Sequence, residues 1–282
     1  MVRRSEDHER PVERLYDTAS ELLAKSYDAN LHFGYWDDFG NGSLAAAAER
    51  MTDQVIERIR VNPGQRVLDV GCGTGTPALR LARARGVEVV GISISRRETD
   101  GANERSRRAG LARRVRFDHA DAMALPYATA SFDAVWAIES MSHMPDRAKA
   151  LGEIARGLRP GGRLVIADGF LHGTGTGPSN PVMDSMCAAF RMHSPPTLAG
   201  YEDLLASAGL RLTESTDLSR HARHSMARLT ETLKGDSAEF ARVLGRGTFV
   251  RLMESLCEAD VTKIVGYALL TAERTADPRN SG

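Results

Sequence analysis

Three cysteines in 282 residues, Cys72, Cys187 and Cys257, are too few and too scattered to build a disulfide framework or a metal site. A reducing, cytoplasmic setting fits that usage. No apolar run reaches the length that spans a bilayer. The opening stretch, residues 1–14, is charged throughout and lacks the apolar segment of a secretory signal. Lysine plus arginine (37) balances aspartate plus glutamate (37), so no net field draws the chain to nucleic acid or to an anionic membrane. The histidines 172, 193, 221 and 224 are irregularly spaced with no companion acid or cysteine pattern, so no metal is expected. The length admits one large domain with appended elements, or two small domains, and nothing in the sequence announces an oligomeric state.

What is present is concentrated in Val67-Leu68-Asp69-Val70-Gly71-Cys72-Gly73-Thr74-Gly75. A strand-like run stops at three glycines set two apart, and a helix-forming stretch follows at once. A buried strand thus ends in a turn whose bare backbone can touch a ligand, the cofactor corner of an open α/β sheet. Phosphate-binding versions of this turn read G-x-G-x-x-G or end in Gly-Lys-Ser/Thr. This one has neither, so a nucleoside without a polyphosphate is the expected ligand.

From residue 61 the chain alternates strand-like segments (66–70, 87–93, 115–120, 132–138, 163–168) with helix-like ones (78–85, 98–109, 148–158). Such alternation predicts a parallel sheet with helices on both faces and every strand C-terminus on one edge. A helix at 201–208 and strands at 210–218 and 264–272 complete a seven-stranded, mostly parallel sheet. The expected division is a helical lid segment at 1–60, a core at 61–170, a lid insertion at 171–200, core again at 201–219, a second helical insertion at 220–260, and a last strand within 261–276.

With these elements in place, four motifs stand in order: the loop 69–75, Asp121-Ala122-Met123-Ala124-Leu125-Pro126, Ser131-Phe132-Asp133-Ala134-Val135-Trp136, and Leu158-Arg159-Pro160-Gly161-Gly162. Together they resemble the Rossmann-like class I S-adenosylmethionine-dependent methyltransferases. Leu31-His32-Phe33-Gly34-Tyr35-Trp36, Gly91-Ile92-Ser93-Ile94-Ser95 and Glu139-Ser140-Met141-Ser142-His143-Met144-Pro145-Asp146 narrow the resemblance to the natural-product branch that includes the rebeccamycin sugar O-methyltransferase.

The resemblance implies S-adenosyl-L-methionine as cofactor. Gly71, Gly73 and Gly75 would meet its methionine end and ribose, Asp69 its amino group, Asp121 its adenine amine, and the backbone of Ala122 or Met123 the ring edge. Relatives carry an acid at the end of the second strand to grip the ribose. Here Ser93 stands there, able to hydrogen-bond a hydroxyl without a charge. Ile138 and Glu139 are placed at the same pocket, and Tyr16 in a segment that folds over the cofactor. Tyr35, Trp36 and His172 are expected at the acceptor.

His143 follows the fourth strand on the ligand edge, where a neutral imidazole can take an acceptor's proton. Asp168 ends the fifth strand and would orient that ring. In the resembled branch the favoured base is the first of two adjacent histidines, and Ser142 occupies that position. Either His143 acts from one position along, or catalysis depends on proximity and alignment. The leading expectation is O-methylation of a small natural product, such as a glycosylated polycycle, macrolide or mitomycin-type compound. The alternatives are C-methylation of an isoprenoid or quinone, and nucleoside binding without catalysis.

Overall fold

The computed structural model describes residues 30, 32–37, 39–173, 180–258 and 260–275. Tyr16 and the rest of the opening segment through residue 29 lie outside the described residues.

Helix α1 (Leu44–Ile59) starts at Ser43, whose hydroxyl accepts from Ala46 N–H. Strand β1 (Arg66–Val70) is buried on both faces after its first residue, as an apolar run in a covered parallel sheet must be. Then come α2 (Thr76–Arg85), β2 (Glu88–Ser93), α3 (Arg96–Arg108), β3 (Val115–His119), β4 (Phe132–Ile138), a 3₁₀ turn (Met141–His143) and α4 (Arg147–Gly157). They are followed by β5 (Leu158–Leu171), α5 (Pro181–Phe190), α6 (Leu198–Ser207), β6 (Leu210–Asp217), α7 (Ser219–Gly235), α8 (Ser237–Leu244), α9 (Arg246–Glu258) and β7 (Val265–Arg274).

The strands form one sheet in the order β3-β2-β1-β4-β5-β7-β6, with β7 antiparallel to both neighbours. The chain steps outward from β1 to β3 and then returns to β4 beside β1. The crevice beyond the ends of β1 and β4 is where such sheets bind ligands. Strand β5 is longer than residues 163–168: it pairs with β4 from Leu158, with a register shift between Phe132 and Ala134 that absorbs Pro160 and the left-handed Gly161.

Alternate residues of the central strands face opposite layers. Val67, Val89 and Trp136 pack with α1, α2 and α3, and Leu68, Val90 and Val135 pack with α4 and α6. A third apolar cluster joins α5, α7, α8 and α9 through Met186, Leu233, Phe240 and Leu252, against Leu171 at the end of β5 and Val265 at the start of β7. It stands over the ligand-binding edge. Helix α7 joins the first and third of these clusters, through Ala222 and Leu229.

Candidate active site

Gly71, Gly73 and Gly75 all have positive φ, +75°, +48° and +79°, a region open to glycine at little strain. Their reasons differ. A Cβ on Gly71 would stand 2.4 Å from Ser140 Cβ, and one on Gly75 2.4 Å from Phe117 Cζ. On Gly73 it would meet nothing within 4 Å, because that position faces the cleft. The cleft holds about 540 Å³ and runs from this turn past the end of β2 to residues 120–123.

Asp69 lines it near the turn, 3% exposed, and its Oδ2 makes no hydrogen bond among the described residues. Burial pushes its pKa up to about 7, opposed by the neighbouring Trp136 indole. A buried carboxylate oxygen without a partner, beside a bare-backbone turn, fits the cationic amino end of S-adenosylmethionine. Cys72 in the same turn is buried; its surroundings, then the Asp69 charge, push the thiol well above its usual range, so it is a packing residue and not a nucleophile.

At the end of β2 a carboxylate from the next helix meets Ser93. Ser93 Oγ donates to Glu98 Oε2 at 2.7 Å, and both residues line the cleft. Glu98 sits in the first turn of α3, where Ser95 Oγ accepts its backbone N–H. The spacing Ser95-x-x-Glu98 is visible in the sequence, but it reads as a helix-start motif rather than a ligand grip. Glu98→Ala is expected to weaken S-adenosylhomocysteine binding roughly ten- to a hundredfold, the worth of a charge-assisted bond. Calorimetric titration checks this; unchanged affinity would return the ribose to Ser93 alone.

At the far end, Asp121 Oδ1 accepts Met123 N–H at 2.9 Å, and Asp121, Ala122 and Met123 line the cleft. Ile138 closes its inner side.

A second cavity of about 190 Å³ lies between the sheet edge and helices α5 and α7. Met183, Met186, Met192 and Met226 contribute to its walls, with Phe33 and Phe190. Four residues line both cavities: His32, Glu139, His143 and Met192. Glu139 is a non-glycine residue at φ +48°, and its Oε1 accepts Phe33 N–H at 2.6 Å. Burial pushes its pKa up to about 8, with the Phe33 N–H opposing. His32, which no sequence signal marked beyond the motif it sits in, is fixed by Thr52 Oγ1 (3.0 Å) and Phe33 O (2.9 Å). Burial lowers its pKa to about 4. His143 is likewise pushed to about 4 by burial, against a hydrogen bond to the Arg191 carbonyl and with His193 and Arg147 adding to the lowering.

The expected Asp168–His143 pairing is replaced. Asp168 Oδ1 accepts from Ser142 Oγ (3.0 Å) and Gly169 N–H (2.7 Å), and Oδ2 from Met141 N–H (3.0 Å). In a 3₁₀ turn neighbouring side chains diverge by a third of a revolution, so Ser142 meets β5 while His143 faces the segment 191–193.

Three expected acceptor residues line neither cavity. Trp36 is fully buried, and its Nε1 donates to Ser225 Oγ at 2.8 Å. Tyr35 stacks on His221 with ring centres 4.1 Å apart. Both tie residues 32–37 to α7, the work of large aromatics with a polar handle. His172 is exposed, edge-on to Phe170, since β5 runs two residues past the cavity. Phe33 is the aromatic of this segment that lines the second cavity. Among the described residues no group of histidine, cysteine and acid is placed to hold a metal, and no helix is long and apolar enough to cross a membrane.

Comparison with known proteins identifies the family. Residues 68–166 match the family model described as a methyltransferase domain. The methyltransferase GfsG of Streptomyces halstedii is 48% identical over 215 residues, 76% of this chain and 77% of that one. The 27-O-demethylrifamycin SV methyltransferase of Amycolatopsis mediterranei is 38% identical, over 92% of this chain and 95% of its own. Among solved structures, the [4+2]-cyclase SpnF superposes with a TM-score of 0.83 at 32% identity, covering 94% of this chain and 96% of that one. The chain belongs to the class I S-adenosylmethionine-dependent methyltransferases, in the branch of O-methyltransferases that tailor natural products.

Proposed function

We propose that S-adenosylmethionine fills the glycine-turn cleft and that a largely apolar natural product fills the methionine-walled cavity, presenting one hydroxyl at the wall the two share. That shared wall, His32, Glu139, His143 and Met192, is the observation that carries the reading. When bound, the donor supplies a methyl group already activated on a sulfonium. The protein's part is alignment, exclusion of water, and disposal of one proton. Asp69 takes the donor's amino group, Ser93 with Glu98 the ribose hydroxyls, and Asp121 the adenine amine. Helices α5, α7, α8 and α9, with residues 32–37, act as the lid.

The relatives named for O-methylation favour an oxygen acceptor. Thioether side chains are apolar and conformationally adaptable, which suits an acceptor with an irregular carbon skeleton. Met226→Trp, on the α7 wall, is expected to raise the acceptor KM roughly tenfold or more while S-adenosylhomocysteine affinity stays unchanged. An unchanged acceptor KM would place the acceptor elsewhere. A second reading, ring closure without methyl transfer, is favoured by the likeness to the [4+2]-cyclase; transfer of a labelled methyl separates the two.

A further inference from the structure

We infer that Ser142 and Asp168 form a relay that removes the acceptor's proton, with His143 positioning the acceptor rather than serving as base. The inference rests on the reading above.

Both side chains are buried, Ser142 6% and Asp168 4% exposed, and both line the acceptor cavity. The single hydroxyl hydrogen of Ser142 is directed to Asp168 Oδ1 at 3.0 Å. Ser142 Oγ accepts no hydrogen bond from the described residues, so its lone pairs remain for an acceptor O–H. Asp168 is fixed by two backbone N–H groups, Met141 and Gly169, and cannot swing away from Ser142 without abandoning them. Its surroundings favour taking a proton: burial raises its pKa, only partly offset by Gly169, Ser142, the Arg147 charge and Met141. Glu139, Tyr201 and Tyr267 are the other titratable groups whose charges couple to it. Two of them lie at the ends of β4 and β7 and one on α6.

His143 is in the opposite position. Protonating it would add a cation beside Arg147, whose guanidinium already donates to Met141 O and His193 O, and beside a donor that itself carries positive charge. Passing the proton to Asp168 instead neutralises a buried anion.

The step balances. The acceptor oxygen forms its bond to the methyl carbon as the carbon–sulfur bond breaks, and sulfur keeps that electron pair. The acceptor's proton moves to Ser142 Oγ while the Ser142 proton moves to Asp168 Oδ1. A neutral ether and a protonated Asp168 remain, and Asp168 returns its proton to water when product leaves.

Ser142→Ala is expected to lower kcat roughly 10²- to 10⁴-fold, with S-adenosylhomocysteine affinity and Tm close to the wild-type values. Ser142→Thr, which keeps the hydroxyl, stays within about tenfold, and His143→Ala raises the acceptor KM more than it lowers kcat. In mixtures of light and heavy water, the wild-type kcat should curve as two protons move together, and that of Ser142→Ala should fall on a straight line. A readout free of turnover is infrared spectroscopy of the Asp168 carboxyl band, identified by its loss in Asp168→Asn. Ser142→Ala should move its titration to higher pH, because the hydroxyl stabilises the carboxylate.

A Ser142→Ala enzyme with unchanged kcat, or a carboxyl band that titrates as before, overturns the relay. So does a His143→Ala loss far exceeding that of Ser142→Ala. Absence of any methylated product from the wild type would instead overturn the functional reading, and the infrared titration still decides whether the two side chains are coupled.

Discussion

Gly73→Asp is expected to abolish binding of S-adenosylmethionine and S-adenosylhomocysteine while leaving the protein folded. The new Cβ meets no protein atom within 4 Å, and φ of +48° at this position is one that aspartate adopts more readily than most residues. The side chain therefore enters the cleft instead of disturbing the turn, and it brings a second carboxylate up to Asp69. Affinity should fall by at least two orders of magnitude, roughly 3 kcal/mol of binding energy, with Tm little changed. Gly71→Ala provides the contrast. Its Cβ would lie 2.4 Å from that of Ser140, whose hydroxyl donates to Val70 O at 2.6 Å. Relief of that clash displaces the start of the Met141–His143 turn, and the left-handed backbone adds about 1–2 kcal/mol of strain. Gly71→Ala should thus lose thermal stability first and binding as a consequence. Calorimetry with S-adenosylhomocysteine alongside thermal unfolding distinguishes the two. A Gly73→Asp protein that binds normally would remove the cleft from the cofactor's path.

The stability of the ligand-free protein should decline as pH rises from about 6.5 to about 8, and Glu139→Gln should reduce that decline. Burial raises Asp69 to about 7 and Glu139 to about 8, and lowers His32 and His143 to about 4. Between pH 4 and the ordinary histidine value of 6.5, the folded chain holds carboxyl protons that the unfolded chain has released. It lacks imidazolium protons that the unfolded chain still binds, and the two effects oppose each other. Above 6.5 only the carboxyl effect remains, so the folded state binds more protons and stability falls until Glu139 has ionised. A glutamine at 139 has no proton to lose. Its variant should gain on the wild type above pH 8 while still offering an oxygen to Phe33 N–H. A cationic donor favours the ionised carboxylates, so S-adenosylmethionine should bind more tightly across this window and flatten the profile. Denaturant midpoints at pH 6.5 and above pH 8 provide the measurement, and a flat or rising ligand-free profile would contradict it.

Much of the frame was legible because strands and glycine turns obey local rules. The run 67–75 is a buried strand meeting a backbone that must turn through positive φ, and alternating periods reveal the helices and strands around it. The functional details turned on rotations of one residue. Nothing in Ser140-Met141-Ser142-His143 announces a 3₁₀ turn, yet that turn decides that Ser142 rather than His143 meets Asp168. Trp36 and Tyr35 carry the composition of a pocket wall, but Ser225 and His221, almost two hundred residues away in sequence, draw them into packing. Glu98 was hidden by its own helix-start spacing. The long β5 was masked by Pro160-Gly161-Gly162, which reads as a stop until the register shift against β4 accommodates it.

The most direct test is transfer from S-adenosylmethionine carrying an isotopically labelled methyl group to a panel of hydroxylated, largely apolar metabolites, followed by mass spectrometry and NMR of the products. One labelled methyl per molecule, bonded to oxygen, is the expected result. A product that is rearranged or cyclised but unlabelled, or one labelled on carbon, would contradict the assignment of the two joined cavities to a donor and an alcohol.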